Sequence, residues 1–447
     1  MPQTKGHFLY WGMVSSQVQS NASVIRAWCM FDWANSVYSL VITSAIFPVY
    51  YQAVTTGADG SDRVVFFGYS IVNSVLYSYS LSFSFLILAP LLPLLSGIAD
   101  YSGKKKVFMK FFVYLGGFSC MGLYFFRGAN IEWGIVCSML ASIGYAGSLV
   151  FYDAFLPEIA TPDRMDKVSA QGYSMGYYGG VVLLLINLVM IMNWTLFGFS
   201  SEGDATRFSF LLVGLWWIGF SQITFFMLPE NKSKVAKKGL LFNGYLELLK
   251  VVKSLRDHPA LRRFLGAYFF YNMGVQTVMY LAASFGAKEL RLEDSKLIVT
   301  ILLIQLVASV GAYFFARVSS TRGNKETLLI MIGIWIMICC LAYFTTTEYE
   351  FYGIAFLVGL VMGGIQSLSR ATYAKLIPAG SIDHASYFSF FDVTFTLSIV
   401  FGTFSYGLIE HLSGSMRNST LALAAFFIVG MVLLRRVNTP ILARKIS

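Results

Sequence analysis

Two ionisable side chains sit where hydrocarbon would make them costly. Arg370 lies in GGIQSLSRATYAKL and Asp392 in SYFSFFDVTFTLSIV, each roughly one to two helical turns or more inside an apolar run. Each needs a partner. Their adjacent runs predict an Arg370 to Asp392 pair, with Arg370 to Asp153 or Asp32 left open as the alternative, and a carboxylate that alternately gains and loses a guanidinium can exchange a proton. Asp32 lies at the mouth of the first apolar run and Asp153 and Glu158 at that of the fourth, so an ion-pair gate with Arg26, Arg164 and Lys167 is a second expectation, with capping an equal one for Asp32. Polar and small residues recur at helical spacing in four runs: Asp32, Asn35, Ser39, Thr43; Ser138, Ala141, Tyr145, Ser148, Tyr152; Tyr268, Asn272, Gln276, Tyr280; and Gly363, Gln366, Arg370, Tyr373. In lipid such groups face protein or water. They predict a solute-binding wall built from Asn35, Tyr38, Tyr145, Tyr271, Asn272, Gln276 and Gln366.

The elements that carry these residues are membrane spans. The chain of 447 residues is 56% hydrophobic and 13% charged, against roughly 25% charged in soluble domains, which excludes an ordinary globular fold. Twelve runs approach the ~20 residues that a spanning helix needs. They are 33–53, 71–95, 107–126, 133–152, 168–192 and 208–228, then 264–285, 297–316, 327–344, 352–376, 386–409 and 418–434. Runs three, six, nine and twelve are almost wholly apolar, whereas the polar stripes of one, four, seven and ten are expected to line an aqueous centre.

Between the sixth and seventh runs, residues 229–263 carry nine Lys and Arg and no membrane-length apolar stretch. Leu240, Leu241, Tyr245, Leu248, Leu249, Val252 and Leu255 recur there at helical spacing beside Lys250, Lys253 and Arg256. This predicts an amphipathic helix on an anionic lipid surface, with a solvated linker as the equal alternative. The expected organisation is a cytoplasmic segment 1–32, six-helix bundles 33–228 and 264–437 joined by the basic linker, and a tail 438–447. Most of the 33 Lys and Arg then fall on the side of both termini, which the positive-inside rule makes cytoplasmic. The net charge of +10 is thus a matter of topology and lipid rather than nucleic acid. The N-terminus has no signal-peptide pattern. Cys29, Cys120, Cys137, Cys339 and Cys340 lack metal-ligand spacing, no phosphate-binding loop is present, and the four histidines lie outside the predicted span cores, so neither cofactor, metal nor catalytic constellation is expected.

The halves echo each other. SGIADYSGKKK (96–106) follows the second run and ARVSSTRGNK (316–325) the eighth, while Tyr152 and Tyr373 each precede a proline by five positions. The first segment resembles the loop between helices two and three of the major facilitator superfamily, with Asp100, Gly103, Lys104 and Lys105 at its acidic, glycine and basic positions. RAWCMFDWANSVYSLVITSAIFPVYY (26–51) and YDAFLPEIA with SAQGYSMGYYGG (152–180) resemble the vacuole-effluxer-like branch of that superfamily. The resemblance implies an all-α, twelve-helix fold of two pseudo-symmetric bundles and a secondary transporter, with an amino-acid-like cargo as its narrower implication. A monomer in a bacterial inner membrane, working with or without protons, is the expectation, and a ligand sensor that moves nothing is the alternative.

Within the loop motif Gly103 permits a tight turn, and Asp100 can pair with basic residues or face a helix N-terminus, forming a latch. Asp100→Asn is expected to impair transport while expression and folding stay near wild type. Wild-type flux from that variant, measured in reconstituted vesicles, would remove the latch.

Overall fold

A chain in hydrocarbon has no water to satisfy its peptide groups, so each apolar run closes its hydrogen bonds internally as a helix. The computed structural model describes residues 21–57, 60–230, 240–378, 380–413 and 416–437. The N-terminal residues 1–20, the first part of the linker (231–239) and the tail 438–447 lie outside the described residues. Eleven described helices are long and apolar enough to cross a membrane. The 31-residue helix Pro259–Glu289 stands seventh in order, making spans one to twelve.

Span one is composite. It starts at Ala22, capped by Asn21, whose side chain accepts from the Ser23 amide at 2.9 Å, and runs to Val37. A π-helical stretch, Tyr38–Ala45, follows before Phe47–Thr55. Pro48 offers no N–H to the preceding turn, and Ile46 instead donates to the Val41 carbonyl five residues back at 2.9 Å. The widened turn places Tyr38, Ser39, Thr43 and Ser44 along one wall of the interior. The helix begins at Ala22 where hydropathy alone places its start at Trp33, and Asp32 is consequently buried well inside the span.

A short hairpin, Arg63–Phe66 with Tyr69–Val72, separates spans one and two. Phe67 and Gly68 both have positive φ in its turn, the twist that suits a two-residue hairpin. The remaining spans are Asn73–Ser102, Lys105–Phe125, Ile131–Ile159, Met165–Met192 and Glu202–Met227 in the first half. In the second half Asp294–Arg322, Asn324–Phe344, Glu348–Leu376, His384–Ser413 and Met416–Arg435 follow span seven. Spans three, six, nine and twelve lie outermost: Phe111, Phe118, Phe226, Met337 and Ile428 project from them with no protein cover, as lipid-facing residues do.

The linker forms a helix, Leu240–Asp257, pressed against span two so closely that Gly244 meets the backbone of Gly97 and Ile98. Its apolar stripe divides. Leu248 and Leu255 are half-buried, whereas Tyr245, Leu249 and Val252 stay exposed near Lys250, Lys253 and Arg256; Val251, outside the stripe, is buried. The Leu240 and Leu241 side chains lie outside the described residues.

Span five packs on span one through glycines. A methyl group at Gly179 would run into the Trp33 backbone, and one at Gly172 would meet Asp32 and Arg370. This contact sets how near Asp32 of span one comes to Arg370 of span ten. Gly179→Ala is expected to destabilise the protein by about 1–3 kcal/mol through overpacking. Gly266→Ala, facing open space, should leave the melting temperature unchanged or slightly raised. Equal losses from both, read by thermal melting, would contradict the close approach.

Candidate functional site: a buried arginine beneath a central cavity

Arg370, on the last turns of span ten, is 2% exposed and reaches across the molecule into the other half. Its Nη1 donates to Asp153 at 3.0 Å and its Nη2 to Asp32 at 3.3 Å. Nε donates to the Ser169 hydroxyl at 2.9 Å and Nη2 also to the Ser169 carbonyl at 3.1 Å. The guanidinium lies 4.2 Å from the Tyr173 ring centre, 4.8 Å from Trp28 and 5.5 Å from Tyr152, within cation–π range. Tyr152 in turn donates its hydroxyl to Asp32 at 2.7 Å, and Trp28 donates its ring N–H to the Tyr152 carbonyl. The expected Arg370 to Asp392 pair is therefore absent, and Arg370 takes the cross-half alternative. The physical reason is geometric: glycines 172 and 176 bring span five, and with it Asp32 on span one, nearer to span ten than span eleven comes.

Above this cluster is a cavity of about 230 Å³. Of the sequence-predicted residues, Asp32, Asn35, Tyr38, Tyr145, Asp153, Gln276, Gln366, Arg370 and Asp392 line it. Tyr271 and Asn272 do not: Tyr271 shares a hydrogen bond with Ser369 at 2.7 Å, and Asn272 donates to Ser398 at 2.6 Å while accepting from Gln276 at 3.3 Å. They brace spans seven, ten and eleven behind the wall. Spans two, five, eight and eleven also contribute, through residues such as Phe85, Tyr173, Tyr177, Gln305 and Phe391. Tyr173 and Tyr177 are not among the residues the sequence singles out for the wall; their i, i+4 spacing is the signal that marks them.

Polar groups around the cavity are mostly satisfied. Tyr38 bonds Ser142 at 2.8 Å, and Tyr177 donates to Gln366 at 2.7 Å. Two groups stand apart. The Asn35 amide nitrogen is buried on the wall without a partner, and Asp392 makes no hydrogen bond or ion pair among the described residues.

Below the cluster the halves are tied at the end that carries the basic loops. Asp100 accepts from the Ala385 and Ser386 amides at 3.2 and 2.7 Å, capping the N-terminus of span eleven with a carboxylate. Gly103, at φ 68°, closes span two in the left-handed conformation. Lys105 pairs with Glu158, which also meets His384 at 3.1 Å, while Lys104 points to solvent. The second copy of the loop works in reverse. Its Ser319 and Asn324 donate to Asp166 at 2.9 and 2.8 Å, and Lys375 pairs with the same carboxylate at 2.7 Å. Here the acid belongs to the first turn of span five, the helix that corresponds to span eleven. The cations that join the halves are thus Arg370 and Lys375, with the His384 ring against Glu158 beside them, in place of the expected Arg26, Arg164 and Lys167.

Known proteins resemble this chain in sequence and in fold. Residues 20–440 match the family described as vacuole effluxer Atg22 like. The MFS-type transporter YxiO of Bacillus subtilis is 32% identical over 414 residues, covering 92% of this chain and 93% of its own. Autophagy-related protein 22 of Kluyveromyces lactis is 24% identical over 396 residues, covering 80% of this chain and 77% of its own. Among solved structures, the major facilitator FucP in the outward conformation superposes with a TM-score of 0.68 at 12% identity, over 93% of this chain and 98% of that one. A bacterial homologue of ferroportin in its outward-facing state gives 0.67 at 13% identity, over 93% and 98%. Both likenesses speak to the fold. The chain belongs to the vacuole effluxer Atg22-like family of transporters and has the major facilitator fold.

Proposed function

We propose that this transporter moves a small polar solute by alternating access, its two six-helix halves rocking about the central cavity. The observation that carries the reading is Arg370 of one half held by Asp32 and Asp153 of the other, directly beneath a cavity that all the inner spans line. The ties of Asp100, Glu158, Asp166 and Arg370 lie at one end, so this state is closed toward the basic loops. By the positive-inside rule that end is cytoplasmic, with both termini, in a bacterial inner membrane. The linker helix rests its exposed Tyr245, Leu249 and Val252, with Lys253 and Arg256, on anionic lipid. A single chain suffices, because the cavity lies within one polypeptide.

Opening the closed end requires Arg370 to leave two carboxylates. Breaking a buried pair without compensation costs about 3–5 kcal/mol. A proton delivered to Asp32 or Asp153, or a charged group of the cargo, supplies that compensation, and this is the basis on which we propose ion coupling. A nitrogen-bearing, amino-acid-sized solute suits the tyrosine and amide wall.

Flux in proteoliposomes of labelled amino acids, amines, sugars and nucleosides tests the reading. Saturable, counterflow-competent movement of one class is expected; saturable binding without any flux would favour a sensor. Accessibility gives a second check. In a background without native cysteines, Tyr268→Cys and Gln276→Cys should react with a hydrophilic thiol reagent, because both line the cavity. Asn272→Cys and Phe269→Cys should react at least several-fold more slowly, a split within one helix that uniform reactivity or uniform protection would contradict.

A further inference from the structure

The cavity wall carries three carboxylates, Asp32, Asp153 and Asp392, and one guanidinium. Arg370 is largely committed: four of its five N–H groups serve Asp32, Asp153 and Ser169, and its face is covered by Trp28, Tyr152 and Tyr173. The single Nη1 N–H that remains cannot give a cargo carboxylate the two-pronged grip it favours. Asp392 is the opposite case. It sits on span eleven among Phe388, Phe391 and Phe395, all lining the same cavity, with no hydrogen-bond donor and no cation paired to it. The charged group that acts on it is the Asp153 carboxylate, of the same sign. Tyr268 stacks on its neighbour Phe391 with ring centres 4.3 Å apart, and Tyr145, Tyr173 and Tyr177 line the same cavity.

A carboxylate so placed lacks a counter-charge, and the cost of leaving it buried and unpaired favours a cation over an anion beside it. An anionic or zwitterionic solute would bring a carboxylate to a wall whose one cation is committed, where neutral donors such as the Asn35 amide are what remains. We infer that the cargo is a small organic cation, an amine whose ammonium group pairs with Asp392 while its apolar part lies against the aromatic wall. This deepens the transport reading above and rests on it. It narrows the cargo from amino-acid-like to amine, with no carboxylate required.

Matched probes separate the possibilities. Phenethylamine, phenylalanine and 3-phenylpropionate share a ring and spacer and differ in charge; butylamine, norvaline and valerate repeat the comparison without a ring. Binding to the purified protein in nanodiscs is read by calorimetry, for wild type, Asp392→Asn and Asp392→Glu, with melting curves confirming that each variant is folded. The expected result is that the amines bind, the anions do not, and each zwitterion binds more weakly than its amine. Asp392→Asn should weaken amine binding about tenfold or more, the loss of a charged hydrogen bond, and Asp392→Glu should recover part of it. Amine binding that is unchanged in Asp392→Asn, zwitterions that bind as tightly as amines, or a panel in which no amine binds would each overturn the assignment. Vesicle flux of a zwitterion in that case would keep the transporter and discard the cationic cargo. If Asp392 serves protons alone, amines fail to bind while a pH gradient still drives another solute, which is again an overturning result.

Discussion

The guanidinium of Arg370, held by two carboxylates of the opposite half, is the interaction on which the rest depends. Hydrocarbon supplies no counter-charge, so the arginine is tolerable only where protein provides one. Span ten alone cannot. The glycine face of span five lets span one approach, the aromatic rings of Trp28, Tyr152 and Tyr173 shield the guanidinium from lipid and water, and Ser169 takes its remaining donors. The packing of spans one, four, five and ten is therefore one cooperative arrangement rather than four separate contacts.

Toward the basic loops the same closure is repeated with a different division of labour. In one copy the loop supplies the acid, Asp100, and the helix supplies two free amides. In the other the helix supplies Asp166, and the loop with span ten supplies Ser319, Asn324 and Lys375. Each arrangement sets a negative charge in the first turn of a helix, where the helix dipole favours it. Each also joins the halves through few, replaceable bonds. Charge-assisted hydrogen bonds of this kind form and part without unpacking an apolar core, which is what rocking of rigid bundles asks of a latch.

Much of this was legible in the residues. Composition and run length gave the class, and the polar stripes on spans one, four, seven and ten marked the interior. The loop motif put Asp100 at a helix end. What failed did so for definable reasons. Hydropathy discounted the first turns of span one because Arg26 and Asp32 interrupt them, so the helix start was missed and Asp32 was assigned to a mouth instead of a buried pair. Asn272 and Tyr271 carry the polarity of cavity residues, but helical periodicity places a residue on a face without distinguishing a neighbour's hydroxyl from water. The partner of Arg370 depended on distances between non-consecutive helices, about which a hairpin argument from adjacent spans is silent. The π-helical stretch left only Pro48 as a trace in the sequence.

The central claim is that the Arg370 cluster holds the halves shut at the basic end. Spin-label pairs report it directly: one between Lys104 and Ile382, exposed on opposite halves near the basic loops, and one between Ser74 and Leu412 at the other end, both in a cysteine-free background. Distance distributions from pulsed electron resonance should be compared between the parent protein and Arg370→Gln without added solute. The account predicts that the substitution lengthens the Lys104 to Ile382 distances and shortens those between Ser74 and Leu412. Superimposable distributions for both pairs would show that the cluster does not hold the closed end, and would contradict the account.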